Sequence, residues 1–465
     1  MTPHPPPLPQ PAPSSKAPHP SRPSGPSGAP HRRPASAVVV GGGVIGLCCA
    51  HYLSLAGLDV TVLERDRLGS GASRGNAGEV CPDLVEPLGA PGVAAKALMG
   101  MARADSPLAV RPTPHPELLG FLARLGRHST RHHHARGAAA LGALARDTFE
   151  LFEELEAAGV DGRADKDGYL FAYPTARSAA RAQEGFRRLG APVAAGGILG
   201  PGALAEREPA LGSAARAGFL VERQWSLDPS LFVDGLAGRL RRDGVTLVEG
   251  ARVTAVRRRG ARTEVRTSAG TYAADVTVIA AGVWSRELCR GLGVDIDLLP
   301  GKGYSFSAPA ARLPARLIHL GAAKAVLTPL GDRLRVAGTM EFDRDPDRFR
   351  QRRVEAIVAA VRPYLRGVEW DRREQEWMGP RPMTPDGLPL IGWLPGRPGV
   401  LLATGHNMLG LMLAPATGRL VGALVTGGAG DAAPGTADDG TAAAMAAAFG
   451  PARGARRYRG ALTRP

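Results

Sequence analysis

A glycine-rich turn between two β-branched runs constrains this chain more than any other feature. Residues 37–64 read AVVVGGGVIGLCCAHYLSLAGLDVTVLE, in which Val38–Val40 leads into the glycine turn Gly41–Gly46. A helical pattern follows, and a second apolar run, Val60–Leu63, ends in Glu64. This order of strand, G-x-G-x-x-G turn, helix, strand and acid predicts a dinucleotide-binding βαβ unit.

Each part of this motif has a mechanical task. Gly41 permits the tight turn, Gly43 lets the backbone approach a pyrophosphate, and Gly46 lets helix and strand pack closely. The helix N-terminus offers free N–H groups to the phosphates. Glu64, 18 residues beyond Gly46, is placed to accept hydrogen bonds from an adenosine ribose, which argues against the 2′-phosphate of NADP.

The motif alone does not distinguish FAD from NAD. Residues 69–78 read GSGASRGNAG, a second run of small residues and amide donors. FAD needs more close backbone approach than NAD, because its ribityl chain and flavin extend past the pyrophosphate. The second run therefore favours FAD.

The composition is that of a globular protein, with 44% hydrophobic and 22% charged residues. The formal charge of +15 includes no run of five basic residues, so we interpret it as arginines scattered over solvated faces and expect no nucleic-acid partner. The densest basic stretch, Arg124–Arg136, is interpreted as a solvated loop or helix face, with peripheral membrane contact as the second interpretation. No cluster with metal-ligand spacing is apparent, so no metal is expected.

The sequence also bears on the cellular compartment. Cysteines occur only at positions 48, 49, 81 and 289, without the spacing of a disulfide framework or a metal site. No apolar stretch reaches the roughly 18–20 residues of a membrane span, and the N-terminus lacks the apolar region of a signal peptide. We expect a cytoplasmic protein, with the inner face of the cell membrane as a place of peripheral contact.

Strand patterns at the two ends and in the middle of the chain predict one discontinuous α/β domain with a second domain inserted into it. The predicted strands of the first domain are Ala37–Val40, Val60–Leu63, Val276–Ala280 and Val400–Ala403. Helical patterns cover Arg136–Ala158 and Pro229–Asp243, the latter with Asp228 as N-cap. Further strands are expected around Leu298–Phe306 and Ala323–Met340.

Several segments together resemble the D-amino-acid oxidase and glycine oxidase superfamily, and within it most closely the bacterial D-amino-acid dehydrogenases. They are residues 38–46, Ala72–Gly78 with Pro91-Gly92, Pro300–Tyr304 (PGKGY), Gly379–Gly392 (GPRPMTPDGLPLIG) and Thr404–Gly418 (TGHNMLGLMLAPATG). The resemblance implies an α/β fold: a discontinuous Rossmann-like FAD-binding domain with an inserted α+β substrate domain on a mostly antiparallel sheet. The expected division is a disordered tail over 1–36, the FAD-binding domain over 37–90, 222–298 and 377–426, the substrate domain over 91–221 and 299–376, and a loose tail over 427–465.

Oxidation of an amino acid requires an anchor for its carboxylate, and the guanidinium fork of arginine suits that task. Arg381 lies between Pro380 and Pro382, and the resemblance implies that it binds the substrate carboxylate. The alternative is that Arg381 pairs with Asp386 to close a turn.

The resemblance places two more residues at the reaction site. Tyr304 is expected on the substrate-facing sheet, where its phenol would cap the carboxylate or close the pocket; the alternative is a core aromatic. His406 is expected to handle a proton, or else to close the loop before an apolar helix. Trp284 and Trp377 are interpreted as core residues.

The resemblance also implies a set of cofactor contacts. They are Gly41, Gly43, Val44, Ile45, Gly46, Glu64, Arg65, Ala72, Ser73, Asn76, Ala77, Gly78, Val253, Ala281, Gly282, Gly405, Asn407, Leu409, Gly410 and Leu411. Some members of the superfamily tether the flavin through a cysteine near the 379–392 motif. This chain has none there, which predicts non-covalent FAD.

Three functions remain open. The first is oxidation of the Cα–N bond of a D-amino acid, or of a cyclic or secondary amino acid, with electrons passed to a quinone or carrier, or to O₂ as in glycine, sarcosine and D-amino-acid oxidases. The second is a partner-dependent flavoprotein subunit, in which Arg381 would face solvent or lie in a salt bridge. The third is an NAD-dependent dehydrogenase.

Overall fold

The computed structural model of the chain describes residues 33–89, 108–110, 116–342, 345–427 and 439–457. Most of the Pro-rich segment expected to be disordered lies outside these ranges. Ser36, the last residue assigned to that tail, already begins the first strand. Pro91-Gly92, one of the segments that carry the resemblance, also lies outside the described residues.

The strands and helices of the described residues have the following bounds. The strands are β1 (Ser36–Val40), β2 (Asp59–Leu63), β3 (Glu79–Val80), β4 (Leu108–Val110), β5 (Tyr169–Tyr173), β6 (Ala217–Val221), β7 (Trp225–Ser226), β8 (Thr246–Val248), β9 (Val253–Arg259), β10 (Arg262–Thr267), β11 (Gly270–Ala274), β12 (Val276–Ile279), β13 (Val294–Ile296), β14 (Leu299–Pro309), β15 (Leu317–Leu320), β16 (Ala325–Leu330), β17 (Arg333–Phe342), β18 (Glu374–Met383), β19 (Leu390–Trp393), β20 (Val400–Thr404) and β21 (Ala455–Arg457). The α-helices are α1 (Val44–Leu55), α2 (Pro116–His128), α3 (Arg131–Ala145), α4 (Thr148–Ala157), α5 (Ala176–Arg188), α6 (Pro201–Arg207), α7 (Pro229–Arg242), α8 (Ser285–Gly291), α9 (Gln351–Val361), α10 (Gly410–Thr426) and α11 (Asp439–Phe449).

The first of the two large sheets has the strand order β19-β20-β12-β1-β2-β8. Its central strand β1 pairs in parallel with β12 on one side and with β2 on the other. Both faces of such a sheet are covered, which is why β1, β12 and β20 are mostly apolar and are buried at nearly every position rather than at alternate ones. The four strands predicted for this domain are therefore confirmed, within one residue at each end.

The helix predictions are confirmed in one case and corrected in the other. Helix α7 begins at Pro229, and the Asp228 side chain caps it by accepting hydrogen bonds from the N–H groups of Ser230 and Leu231. The single helix predicted over Arg136–Ala158 is instead two helices, α3 and α4. The chain leaves helical geometry at Asp147, where φ is −99° and ψ is 26°, and its carboxylate pairs with Arg419 of α10.

The second large sheet is mostly antiparallel, as the resemblance implied. Its order is β18-β14-β17-β16-β15-β5-β6, with β4 added beside β17. Strand β14 pairs with β17 on one side and β18 on the other. Residues 377–383, assigned from the sequence to the FAD-binding domain, thus lie in this second sheet; the division into domains itself stays a prediction.

The expectation of a loose C-terminal tail is wrong for residues 439–457. Helix α11 packs on the first sheet, where the Phe449 side chain is fully buried. Strand β21 then pairs with β13. The Arg453 guanidinium donates to the Leu388 and Pro389 carbonyls, both at 2.7 Å. An Ala-rich segment with few large side chains carries little pattern of its own, so this docking was not readable from sequence.

Two further expectations concern cysteines and membrane spans. All four cysteines are buried and free, as predicted for Cys48 and Cys49 within α1. Over the stretches of chain that the structure describes, no helix combines the length and the apolar character needed to cross a bilayer.

Candidate cofactor and substrate site

The glycine turn between β1 and α1 has the tight geometry that the motif predicts. Gly41 has a φ of +111°, and a Cβ there would lie 2.5 Å from the Ala280 carbonyl oxygen of the neighbouring strand end. A Cβ on Gly46 would overlap the carbonyl oxygen of Gly41. Only glycine at these positions lets α1 approach β1 and β12 so closely.

The N-terminus of α1 presents backbone donors to open space. Its N-cap, Gly43, has no side chain to cap the first turn. The Val44 N–H donates to Ser73 Oγ at 3.1 Å, which brings the second small-residue run against the helix end. Free N–H groups and the positive end of the helix dipole together favour a phosphate at this point.

Glu64, at the end of β2, is held by two backbone donors. Its Oε2 accepts from the Gly42 N–H at 2.7 Å, and its Oε1 accepts from the Asp66 N–H at 3.0 Å. A carboxylate has about four acceptor sites, so capacity remains for ribose hydroxyls. Arg65 beside it lies over the Trp284 ring, 4.1 Å from its centroid.

A cavity of about 840 Å³ runs from the glycine turn to the second sheet. This volume lies within the range of cofactor and ligand sites, roughly 300–1,000 Å³. The sequence-predicted residues that line it are Gly41, Gly43, Val44, Ile45, Glu64, Arg65, Ala72, Ser73, Asn76, Ala77, Val253, Ala281, Gly282, Tyr304, Arg381, His406, Asn407, Gly410 and Leu411.

Four residues predicted as cofactor contacts, Gly46, Gly78, Gly405 and Leu409, are not among the residues that line the cavity. Gly46 gives the close helix–strand packing described above. Gly78, with φ of +75°, lies against the Leu227 carbonyl, and Gly405, with φ of +77°, lies against Thr384. Leu409 precedes α10 and packs on the core of the first sheet.

The second sheet holds the loop that borders the cavity at residues 75–77. Ser305 Oγ donates to the Gly75 carbonyl and Thr328 Oγ1 to the Ala77 carbonyl, each at 2.6 Å. The Arg335 guanidinium donates to the Asn76 carbonyl at 3.5 Å. Sequence reasoning missed these three positioning residues, because they are more than 200 positions away from the loop in the chain.

The interpretation of the two tryptophans as core residues is wrong. Trp377 and Trp284 are only half-buried, and both line the cavity. The Trp377 ring lies against Gly75 and Gly379, so close that a Cβ on either glycine would overlap it. Gly379, two residues after Trp377, was the local indication that a large ring needs space there, whereas the contact with Gly75 was not readable from the sequence.

Arg381, on β18, reaches across Gly303 of β14 into the cavity. Its guanidinium donates to the Thr339 carbonyl at 3.1 Å. Burial lowers the pKa of Arg381 to about 10, against the charge of Glu79, so the group stays cationic at pH 7. Asp386, the alternative partner, instead accepts from Arg453 at 2.7 Å. In the described part of the chain, no carboxylate forms a salt bridge with Arg381.

Tyr304 lies on the second sheet and is among the residues that line the cavity, as predicted. Its side chain also packs in the core near α9, and its Oη donates to Glu341 Oε2 at 2.8 Å, so a role of the phenol toward a substrate carboxylate stays a prediction. Side chains alternate between the faces of a strand, so Ser305, whose Oγ donates to the Gly75 carbonyl, lies on the face opposite to the Tyr304 side chain. The alternative interpretation, a core aromatic, describes its position.

His406 is buried at the cavity wall, in the loop before α10. Its Nε2 is 2.9 Å from Thr417 Oγ1 of that helix, as the loop-closing interpretation predicted. Burial lowers the pKa of His406 to about 3, so the imidazole is neutral at pH 7. Its Nδ1 has no hydrogen-bond partner among the described residues. Asn407, with φ of +53°, fixes the same loop by accepting from the Thr384 N–H at 3.0 Å.

Glu79 is an acidic residue of the cavity lining that was not predicted. Glu79 follows Gly78 directly and lines the cavity, and the Tyr169 hydroxyl donates to its Oε1 at 2.6 Å. The indication in the sequence was its place at the end of the run of small residues.

These observations fit an adenine dinucleotide that extends past its pyrophosphate. The glycine turn and the α1 N-terminus suit the phosphates, and Glu64 suits a ribose. The cavity continues past Ser73–Ala77 to Trp377 and the second sheet, where the orphaned His406 Nδ1 also lies at its wall. No group of three or more histidine, cysteine or carboxylate residues with metal-binding geometry occurs in the described ranges.

Comparison with known proteins gives a consistent result. The family model described as FAD dependent oxidoreductase matches residues 36–424. A D-amino acid dehydrogenase of Cereibacter sphaeroides is 33% identical over 404 residues, which cover 84% of this chain and 91% of that protein. A D-amino acid dehydrogenase of Methylobacterium nodulans is also 33% identical, over 84% of this chain and 95% of that protein.

Solved structures share the fold at lower sequence identity. Glycine oxidase from Geobacillus kaustophilus superposes with a TM-score of 0.64 at 24% identity, covering 84% of this chain and 94% of that one. L-proline dehydrogenase from P. horikoshii superposes with a TM-score of 0.62 at 19% identity, covering 86% and 95%.

Proposed function

This chain belongs to the family of FAD-dependent oxidoreductases, and we propose that it oxidises the Cα–N bond of D-amino acids. The product would be an imine, which water converts to a 2-oxo acid and ammonia. Relatives that share a third of its sequence over nearly their whole length are named D-amino acid dehydrogenases. The family assignment resolves the choice between FAD and NAD that the glycine motif left open.

The observation that carries the proposal is the environment of Arg381. Its guanidinium lines the cavity that the glycine turn and helix α1 also line, and it stays cationic without an acidic partner in the described chain. A half-buried cation without an ionic partner is stabilised by an anionic ligand. The Thr339 carbonyl fixes the guanidinium, so a substrate carboxylate would be held in one orientation.

FAD, when bound, supplies the group that accepts the hydride. The residues of the chain position the substrate and exclude water. Trp377 and the loop at residues 75–77, which the second sheet ties down, would form the rigid wall against which the Cα–H is presented. No cysteine lies near the 379–392 motif, in keeping with non-covalent attachment. The proposed substrate class includes cyclic and secondary amino acids.

For the electron acceptor we propose a quinone or a carrier protein rather than O₂. The names of the relatives support a dehydrogenase. Peripheral contact with an anionic membrane surface would bring the protein to such an acceptor. Helices α2 and α3 offer a suitable face, since Arg127, Arg131 and Arg136 are exposed there together with Leu119.

The substrate class can be tested by anaerobic mixing of the FAD-loaded protein with D-amino acids, L-amino acids, glycine, sarcosine and D-proline. We expect D-amino acids to bleach the flavin absorbance and L-amino acids to leave it unchanged. The reduced protein is then exposed to air or to a quinone analogue. Rapid reoxidation by the quinone and slow reoxidation by O₂ are expected of a dehydrogenase; the reverse order would identify an oxidase.

The anchor role of Arg381 predicts the effect of Arg381→Ala. The charged hydrogen bonds lost are worth about 1.5–3 kcal/mol, so KM for D-alanine should rise about 10- to 100-fold while FAD stays bound. Arg372→Ala is the matched control, because this exposed arginine lies just before β18 and pairs only at the surface. An unchanged KM in Arg381→Ala would remove the assigned role.

A further inference from the structure

A second charged side chain, Glu79, lines the same cavity as Arg381 with the opposite sign. It lies on β3, the short strand that follows the loop at residues 75–77 in the chain and pairs with β7. The Tyr169 hydroxyl occupies its Oε1 at 2.6 Å. Within the described chain, no cation lies within 4.0 Å of the Glu79 carboxylate, and Arg381 also lacks an ion-pair partner at that distance.

The two charges are near each other without being in contact. The charge of Arg381 acts on the Glu79 carboxyl, and the charge of Glu79 acts on the Arg381 guanidinium. Removing a carboxylate and a guanidinium from water costs several kcal/mol each unless both are paired. A direct ion pair would offset this cost, yet the two charged groups are not within 4.0 Å of each other and both line the same cavity. The arrangement is therefore suited to a ligand that supplies both missing partners.

An α-amino acid is the small ligand that carries a cation and an anion on one carbon atom. With its carboxylate on Arg381, the ammonium group would be directed to the opposite side of the gap. A cationic group at the end of a long side chain would instead lie far from the carboxylate. The mutual influence of Glu79 and Arg381 thus favours the α-amino group as the partner of Glu79.

We propose that Glu79 binds the α-ammonium group of the substrate and accepts one proton from it. This inference rests on the proposed oxidation of amino acids. In this step one N–H bond breaks and one O–H bond forms on the carboxylate, and no atom is oxidised or reduced. The amine is left neutral with a free electron pair, which is the form from which a hydride can leave Cα. The proton stays on Glu79 until the product has left.

The surroundings of Glu79 suit such a base. Burial raises the pKa of Glu79, while the Tyr169 hydroxyl and the Arg381 charge oppose the rise. A base with a pKa closer to neutrality is more effective. The other titratable groups facing it are uncharged at pH 7: burial raises the pKa of the Tyr169 hydroxyl and of the Cys81 thiol, and beyond Tyr169 the pKa of His319 is lowered to about 4. Arg381 is the charged group that faces it, and Asp83 lies beyond Cys81.

A merely structural role for Glu79 would be to hold Tyr169. Glutamine can accept the same hydrogen bond through its amide oxygen, but it cannot take up a proton. Glu79→Gln therefore separates the two roles. Glu222→Gln is the matched control, because Glu222 is exposed on the turn before β7.

The test is stopped-flow reduction of the FAD-loaded variants by D-alanine across a range of pH. Loss of a general base costs roughly 100-fold or more, so Glu79→Gln should be reduced about 100-fold more slowly than wild type at pH 7. The deficit should shrink as the pH rises, because solvent then deprotonates the amine. Propionate is a carboxylate without an amine. Its Kd, measured from the change in flavin absorbance, should be the same for Glu79→Gln as for wild type.

Tyr169→Phe provides a second measurement if Glu79→Gln fails to retain FAD. Without the hydroxyl, the charged form of Glu79 is less stable, so the acidic limb of kcat/KM should move to higher pH. If the acidic limb of kcat/KM lies at the same pH in Tyr169→Phe and in wild type, the proposal is contradicted.

The outcomes distinguish this inference from the proposed function. If no D-amino acid reduces the wild-type flavin, the function itself fails. If wild type is reduced and Glu79→Gln shows the same rates at every pH, only the role of Glu79 is overturned. If Glu79→Gln loses activity with D-lysine and D-arginine but keeps it with D-alanine, Glu79 binds a side-chain cation, which also overturns the inference.

Discussion

Burial sets the charge of the individual residues around the cavity. His406 and His319, with pKa values lowered to about 3 and about 4, are neutral at pH 7, whereas Arg381 stays cationic. Where the second sheet borders the cavity, the lining therefore presents the cationic Arg381 together with the neutral imidazole of His406. Neither of these two groups changes its charge through the physiological pH range.

The neutral state of His406 predicts a pH dependence of stability. Between about pH 6.5 and 3, the unfolded chain binds a proton at this position that the folded chain does not, so stability falls as the pH falls. One such group contributes at most about 1.4 kcal/mol per pH unit. His406→Gln should lower the slope of Tm against pH between pH 7 and 5, measured on the FAD-loaded protein. His132→Gln, on an exposed face of α3, should keep the wild-type slope. Equal slopes in both variants would contradict the prediction.

At the scale of elements, the decisive contact is the one between the second sheet and the loop at residues 75–77. Ser305, Thr328 and Arg335 lie on three different strands and each donates to a different loop carbonyl. A loop held at three successive residues cannot shift without breaking hydrogen bonds that are buried or partly buried. The sheet therefore positions one wall of the cofactor cavity.

Thr328→Val tests this contact with little change in shape. The partly buried Ala77 carbonyl would lose its 2.6 Å donor, and a hydrogen bond of this kind contributes about 0.5–1.5 kcal/mol. We expect a lower Tm and a faster release of FAD on dilution, followed by the recovery of flavin fluorescence. Thr271→Val, at an exposed position of β11, should have the same Tm and the same rate of FAD release as wild type. A variant with lowered Tm but unchanged FAD release would show that the contact supports the fold alone.

The same elements show what sequence reasoning could reach. The βαβ unit was predictable to within a residue, because its strand, turn and helix are contiguous and each glycine has a local task. The face of the sheet on which the Tyr304 side chain lies was not predictable. Side chains alternate along a strand, so an error of one residue in its register places every side chain on the opposite face. Glu79 and Tyr169 meet across 90 residues, a contact that no local pattern encodes.

At the scale of the whole molecule, the two sheets divide the work of the site. The first supplies the glycine turn, Glu64 and the α10 loop; the second supplies Arg381, Trp377 and the Tyr169 that holds Glu79. Neither large sheet alone supplies the whole lining of the cavity. Glu79, on the separate pair of strands β3 and β7, and Arg381, on the second large sheet, therefore line it together only in the folded chain.

The C-terminal residues 439–457 belong to this assembly and not to a tail. They bury Phe449, and through Arg453 they hold the turn at residues 386–389, which follows β18 and its Arg381. Truncation after residue 438 should lower the unfolding free energy by at least the roughly 3–5 kcal/mol of a lost buried phenylalanine, and by more once the Arg453 contacts are counted. Guanidinium unfolding of the FAD-loaded protein, followed by circular dichroism, measures the difference.

Truncation after Arg457 is the matched control, because it keeps α11, Arg453 and the pairing of β21 with β13. The protein truncated after Arg457 should unfold at the same midpoint as the full chain. Truncation after residue 438 should also weaken the binding of propionate, because the turn that follows β18 then loses its contacts with Arg453. Phe449→Ala in the full chain separates the two contributions: it removes the buried ring but keeps Arg453 in place. If the longer truncation unfolds at the same midpoint as the full chain, the C-terminal segment contributes nothing to the stability of the site.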